Sequence, residues 1–161
     1  MRHATAEQTG PSDTARELTS RGRAEAEQAG RWLAEQGFAP DHALVSGAVR
    51  TRQTWAVMAA AAQWSLEPAY DDALYAAGPE AALDLVRAVP AESRSLMVLG
   101  HNPTVAYLAQ VLSDGTADPG LTQEMARGYP PATATVFAVS EEWSALDVAG
   151  AGVVGFRAGR S

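Results

Sequence analysis

Three short stretches of the chain carry side chains suited to holding an oxyanion. The opening MRHATAEQTG sets Arg2 beside His3, SGAVRTRQT (46–54) carries Arg50, and LGHNP (99–103) carries His101 followed by Asn102. A guanidinium offers a planar fork of N–H donors that matches the oxygens of an anion. An imidazole offers a lone pair or an N–H near neutral pH. Taken singly, each is ordinary. An Arg-His pair at a chain start reads as an exposed polar terminus, and a lone histidine in a turn reads as structural. Two arginines and two histidines brought to one place would make a site for a dianion.

The elements between these stretches decide whether they meet. Ala26, Ala29, Gly30 and Leu33 recur with helical spacing, Thr19 is a suitable N-cap and Gly37 a stop, so a helix is expected over 20–36. The apolar runs at 42–46 and 95–100 suit buried strands, and each leads straight into a helix start. The first leads to a helix over 47–63 capped by Ser46, with Arg50 in its opening turn and Arg52 pointing elsewhere. The second leads to a helix that runs to about 112, with Asn102 as N-cap and Pro103 at its first position. Between them, a loop around EPAYDDALYAAG precedes a helix over 79–89 with Leu83, Val86 and Val89 inward.

Residues 113–132 read as an irregular excursion with one short helix, and 132–140, 143–149 and 152–158 as three closing strands. Strands alternating with helices point to an α/β fold, a three-layer α/β/α sandwich with a mostly parallel central sheet. In such sheets ligands bind beyond the carboxyl ends of the strands, beside helix N-termini that favour anions. Arg50 and His101 both fall at that edge.

The bulk composition narrows the classes. A chain of 161 residues with 47% hydrophobic content is expected to form a single domain over 1–161. A net charge of −7 argues against nucleic acid as partner, although all twelve basic residues are arginine. There is no cysteine, no signal-peptide pattern and no run long enough for a membrane span, so a cytoplasmic protein is expected. Three histidines without a carboxylate at ligand spacing make a poor metal site, so no metal and no cofactor are expected. His42 reads as exposed. The four tryptophans, Trp32, Trp55, Trp64 and Trp143, read as core or core edge.

In order along the chain, RHA (2–4), LTSRG (18–22), SGAVRTRQT (46–54) and LGHNP (99–103) resemble the histidine phosphatase superfamily, the phosphoglycerate mutase-like fold. Within it, the short chain and its RHAxAE start are most similar to phosphohistidine phosphatases of the SixA type. The resemblance implies a phosphatase with His3 as nucleophile, forming a phosphohistidine intermediate that water hydrolyses. It implies Arg2, Arg50 and His101 around the transferring group and Arg16 at the pocket mouth, with Asn102 as a further donor. Nearby guanidinium charge should keep His3 unprotonated, and His101 suits the role of donor to a phosphoryl oxygen.

The chain departs from the family in two ways. The family's first strand precedes the Arg-His pair, whereas the sequence here starts at Met1, so that strand is expected among residues missing from it. Many family members also carry a glutamate general acid after a motif like DDALYAA (71–77), where this chain has Ala76 with Asp72 nearby. A phosphoramidate can be protonated on nitrogen as its P–N bond breaks, so the missing acid favours phosphohistidine in a protein, such as a histidine phosphotransfer domain, as substrate. The alternatives are a broad phosphatase for small phosphate esters, a mutase, and a non-catalytic phosphate-recognition module.

Overall fold

The computed structural model describes residues 1–159. In chain order the elements are α1 (Ser20–Glu35), β1 (His42–Ser46), α2 (Val49–Ala62), β2 (Ala69–Asp71), α3 (Ala73–Ala76), α4 (Pro79–Arg87) and β3 (Leu96–Leu99). After these come α5 (Thr104–Leu112), α6 (Pro119–Ala126), β4 (Ala134–Val139), a 3-10 turn at Trp143–Ala145, and β5 (Ala151–Arg157).

β1 is the middle strand of a parallel sheet ordered β2-β1-β3, with Leu44 opposite Ala69 on one side and Val98 on the other. Because side chains alternate across a strand, its apolar runs serve two cores at once. Ala43, Val45, Met97 and Leu99 pack with Ala26, Ala29 and Leu33 of α1 and Trp55 and Met58 of α2. Leu44, Leu96 and Val98 face the other way, onto Leu83 and Val86 of α4 and Leu108 and Leu112 of α5. This is the expected three-layer α/β/α arrangement. β4 and β5 form a separate antiparallel pair.

Several local expectations are corrected. The loop after α2 contains β2, a strand too short to show a period. Segment 143–149 holds no strand, only the 3-10 turn at Trp143–Ala145 and a loop after it, so two strands close the fold where three were expected. α2 begins at Val49 behind Ala48, without a side-chain cap, and α5 begins at Thr104, so neither Ser46 nor Asn102 caps a helix. His42 is the first residue of β1 and only partly exposed. Among the described residues, no helix is long and apolar enough to cross a membrane.

The chain start is tied down on both sides. Gly100 N–H donates to Met1 O and His3 N–H to Gly100 O, both at 3.0 Å, which continues the sheet beyond β3. On the opposite side Arg2 N–H donates to Thr133 O and Ala132 N–H to His3 O, again at 3.0 Å. Arg2 and His3 therefore lie in a strand position between β3 and the entry to β4, where an exposed polar terminus was the default reading.

α1 follows its sequence closely: Thr19 Oγ1 accepts from Gly22 N–H, and Gly37 ends the helix at φ +73°. Gly30 lets α1 and α2 touch by their backbones, since a Cβ there would lie 2.3 Å from Met58 O. Replacing Gly30 by alanine is expected to push the helices apart and lower stability by about 1–3 kcal/mol, despite alanine's better helix propensity. Urea unfolding checks this, and an unchanged midpoint would contradict the close approach.

Candidate active site

The site is built from residues that each have one edge held and another left open. His3 is buried, with 9% of its surface exposed. Its Nδ1 lies 2.7 Å from Ala4 O. A carbonyl oxygen only accepts, so in the neutral ring Nδ1 carries the proton and Nε2 keeps a lone pair. Its pKa is lowered to about 4, mainly by burial, with the charges of Arg50, Arg2 and Arg16 adding to the effect and the Ala4 hydrogen bond opposing it.

His101 follows β3 and its ring centroid lies 5.2 Å from that of His3. Its Nε2 is 2.7 Å from Ser46 Oγ, at the end of β1, while Nδ1 is buried without a partner. Burial again dominates in lowering its pKa to about 3, helped by His3, Arg50 and Arg16 and opposed by Asp13. Both imidazoles are therefore neutral at neutral pH.

The arginines repeat the pattern. Arg50, 4% exposed in the first turn of α2, donates from Nη1 to Asp13 O (2.6 Å) and from Nη2 to Asp13 Oδ2 (3.1 Å). Arg2 donates from Nη1 to Tyr129 O at 2.9 Å. In both, Nε is buried and unpartnered. An orphaned buried donor costs about 1–3 kcal/mol, more when charged, so such atoms call for an explanation. With His101 Nδ1 they make a set of polar atoms that a tetrahedral oxyanion would satisfy. Asn102 lies beside them, its Nδ2 donating to Tyr129 O at 2.8 Å while its Oδ1 stays unpartnered.

Asp13 closes the outer rim. It accepts from Arg16 Nε at 2.9 Å, from Arg50 Nη2, and from the Tyr75 hydroxyl. These donors hold its carboxyl at a pKa of about 2, the Tyr75 bond most of all, then Arg50 and Arg16. Arg16 also donates to Glu7 O at 3.0 Å, which places it at the mouth. Tyr75 stands edge-on to His101, with centroids 5.2 Å apart, and the Arg50 Cζ lies 5.6 Å from its ring centre. With neutral histidines, three guanidiniums and one carboxylate leave the cluster two positive, matched to a phosphoryl dianion.

All six residues expected at the site, Arg2, His3, Arg16, Arg50, His101 and Asn102, lie in this cluster. Ala76 is exposed at the rim, and Asp72 packs against Gly47, where a Cβ would come within 1.9 Å of its Oδ1. Arg52 does point away, onto the Tyr70 ring at 4.2 Å. Sequence reasoning missed Asp13, Tyr75 and Tyr129, and gave Ser46 a capping role. Asp13 stands three residues before Arg16, a spacing that could have suggested a local ion pair. Tyr129 contributes only a carbonyl, which no side-chain pattern reveals.

Comparison with known proteins gives the chain a family. A family model of the histidine phosphatase superfamily (branch 1) matches residues 1–75. An uncharacterized protein of Mycobacterium tuberculosis is 35% identical over 164 residues, covering 99% of this chain and 100% of its own. The chain belongs to the histidine phosphatase superfamily. It is a phosphatase by that membership, and the relatives extend the match along its whole length. A candidate phosphohistidine phosphatase SixA from Nakamurella multipartitia superposes with a TM-score of 0.87 at 33% identity, covering 100% of this chain and 94% of that one. A second candidate SixA, from Agrobacterium tumefaciens, superposes with a TM-score of 0.81 at 29% identity, covering 98% and 94%.

The lowered histidine pKa values of this phosphatase carry a stability cost in acid. Unfolded histidine takes up a proton near pH 6.5, before His3 at about 4 or His101 at about 3 does so in the fold. The unfolded state thus binds more protons over this window, and stability falls as pH drops below 6.5. From pH 7 to pH 5 the pair is expected to remove about 2–4 kcal/mol. Urea unfolding at both pH values, compared with a His3→Gln/His101→Asn variant, checks this. Equal pH dependence in the two proteins would contradict it.

Proposed function

We propose that this phosphatase removes the phosphoryl group from phosphohistidine in a protein substrate, through a covalent intermediate on His3. The observation that carries the reading is the combination at one point of a neutral imidazole with its Nε2 lone pair available and three buried, unpartnered nitrogens on Arg2, Arg50 and His101.

His3 Nε2 attacks the phosphorus in line with the scissile P–N bond. That bond breaks with its electron pair going to the leaving imidazole nitrogen, and a substrate ring protonated on its other nitrogen departs as neutral imidazole without a further proton. Water then attacks the phosphorus of the His3 adduct, releasing inorganic phosphate and restoring the ring. Phosphoryl transfer places charge on the three equatorial oxygens, so positioned donors supply most of the catalysis. Arg2 Nε–H, Arg50 Nε–H and an N–H of His101 fill that role, and Asn102 holds the Tyr129 carbonyl beside Arg2. Arg16 guides the phosphorylated segment at the mouth.

Two observations favour a phosphoramidate. Ala76 leaves no carboxyl at the position of the family's acid, and Asp13, the carboxylate bonded to Arg50, is held ionised at a pKa of about 2 and has no proton to give. An alkyl phosphate monoester would have to expel a strongly basic alkoxide, so that substrate would need such a proton. The SixA-like relatives support the same reading. A second reading, a phosphatase for small monoesters, rests on Asp72, whose carboxylate packs on Gly47 next to Ser46.

The test is phosphate release from a phosphohistidine-bearing protein and from an alkyl monoester, glycerol phosphate, with His3→Ala, Arg50→Ala and Asp72→Asn as variants. Expected are faster release from phosphohistidine, loss of turnover in His3→Ala, and a fall of about 100–1,000-fold in kcat for Arg50→Ala. Dominant monoester turnover that Asp72→Asn abolishes would favour the second reading. Phosphate binding without turnover of either would make the chain a recognition module.

A further inference from the structure

Ser46 stands where a helix cap was expected, and the structure diverts its hydroxyl elsewhere. In the first turn of α2, Thr51 Oγ1 donates instead to Ser46 O and to Ala48 O, each at 2.7 Å. Ser46 is fully buried at the end of β1, held by strand pairing to Asp71 on one side and by Thr51 at its carbonyl. Its hydroxyl oxygen lies 2.7 Å from His101 Nε2.

We propose that Ser46 is a positioning residue for His101: its hydroxyl donates to Nε2 and so fixes the ring as the tautomer whose Nδ1–H serves the phosphoryl group. The inference rests on the phosphoryl-transfer reading above. It follows from proton accounting on a ring whose two nitrogens see different surroundings. A neutral imidazole has one proton to place. With the proton on Nε2, donated to Ser46 Oγ, the buried Nδ1 would present a bare lone pair to the phosphoryl oxygens and repel them. With the proton on Nδ1, the atom left without a partner becomes a donor, and Nε2 accepts from the serine.

The choice of a hydroxyl as the partner has its own consequence. A carboxylate in this place would draw a second proton onto the ring and charge it, as carboxylate partners of histidine do. A hydroxyl sets the tautomer while leaving the ring neutral. The groups facing His101 are His3, Arg50, Arg16, Asp13 and Tyr75, and on balance they too disfavour a second proton. The positive charge of the site then comes from arginine, and His101 adds a directed N–H. Partners that hold the remote nitrogen of a histidine are known to set the orientation and tautomer of the working one.

The test uses the whole chain and three variants, Ser46→Ala, Ser46→Cys and His3→Ala. Nitrogen NMR of His101 reads the tautomer without reference to turnover. The wild-type ring is expected to carry its proton on Nδ1, and Ser46→Ala to show a mixture or the reversed form. Phosphohistidine turnover in Ser46→Ala is expected to fall about 10–100-fold in kcat with KM within about threefold, the range of outer-shell partners of a working histidine. Ser46→Cys, which keeps a weaker donor, is expected to fall between, with melting temperatures close to wild type.

A wild-type ring protonated on Nε2 overturns the inference even if no variant folds. So does a Ser46→Ala protein with unchanged tautomer and unchanged kcat. Retained turnover in His3→Ala would instead overturn the phosphoryl-transfer reading, while the NMR result would still decide what Ser46 does to His101.

Discussion

A buried cationic or imidazole donor can be aimed only when part of it is anchored, because an unanchored side chain either finds another partner or turns to water. This site meets that constraint four times. Ala4 O holds His3, Ser46 Oγ holds His101, Tyr129 O holds Arg2, and Asp13 holds Arg50. The anchors come from His3's own neighbour, the end of β1, the segment after α6 and the loop before α1. Each leaves one polar atom open, and together the open atoms define a place for an oxyanion. The energetic penalty of those open atoms is the stored part of the arrangement, since an arriving phosphoryl group relieves it.

The anchors depend in turn on the sheet. Arg2 and His3 stay in place because their backbone is bonded to Gly100 on one side and to residues 132 and 133 on the other. Behind them Ala4 N–H donates to Thr54 Oγ1 at 3.1 Å, and Thr54 donates to Arg50 O at 2.7 Å. One buried hydroxyl thus ties the segment of the proposed nucleophile to the helix that carries Arg50. A second tie runs through the buried Glu25, which accepts from Thr5 N–H at 2.9 Å and pairs with Arg21. Gly22 allows this approach, since a Cβ there would sit 1.9 Å from Thr5 O.

Charge is handled with the same economy. Burial presses both histidines toward neutrality, which leaves His3 with a lone pair at neutral pH and puts the positive charge on groups that cannot lose it. Asp13 removes one unit of that charge at the rim, where Arg16, Arg50 and Tyr75 hold it ionised. A site that holds its product phosphate too firmly would turn over slowly, so a balanced charge is consistent with hydrolysis.

Much of the fold was legible along the chain because helix and strand periods are local. Thr19, Gly37 and the Ala26–Leu33 stripe specify α1 on their own, and the continuous apolar runs of β1 and β3 mark strands covered on both faces. Of the candidate site residues, Arg50 and His101 were legible for a related reason, since sequence order fixes which residues follow a strand end and in a parallel sheet those ends share one edge. Arg2 and His3 stood out only through the family resemblance. Short β2 and the 3-10 turn at 143–145 escaped because three residues carry no period. The partner of each polar side chain was decided only by tertiary structure. Ser46 reads as a cap from its neighbours and becomes His101's partner because β1 and β3 lie side by side; Asp13 drew no reading from the sequence and becomes Arg50's anchor because its loop lies against the start of α2. Residue type and spacing set what chemistry was available, and which nitrogen ended up open depended on atoms 37 and 55 residues away in the chain.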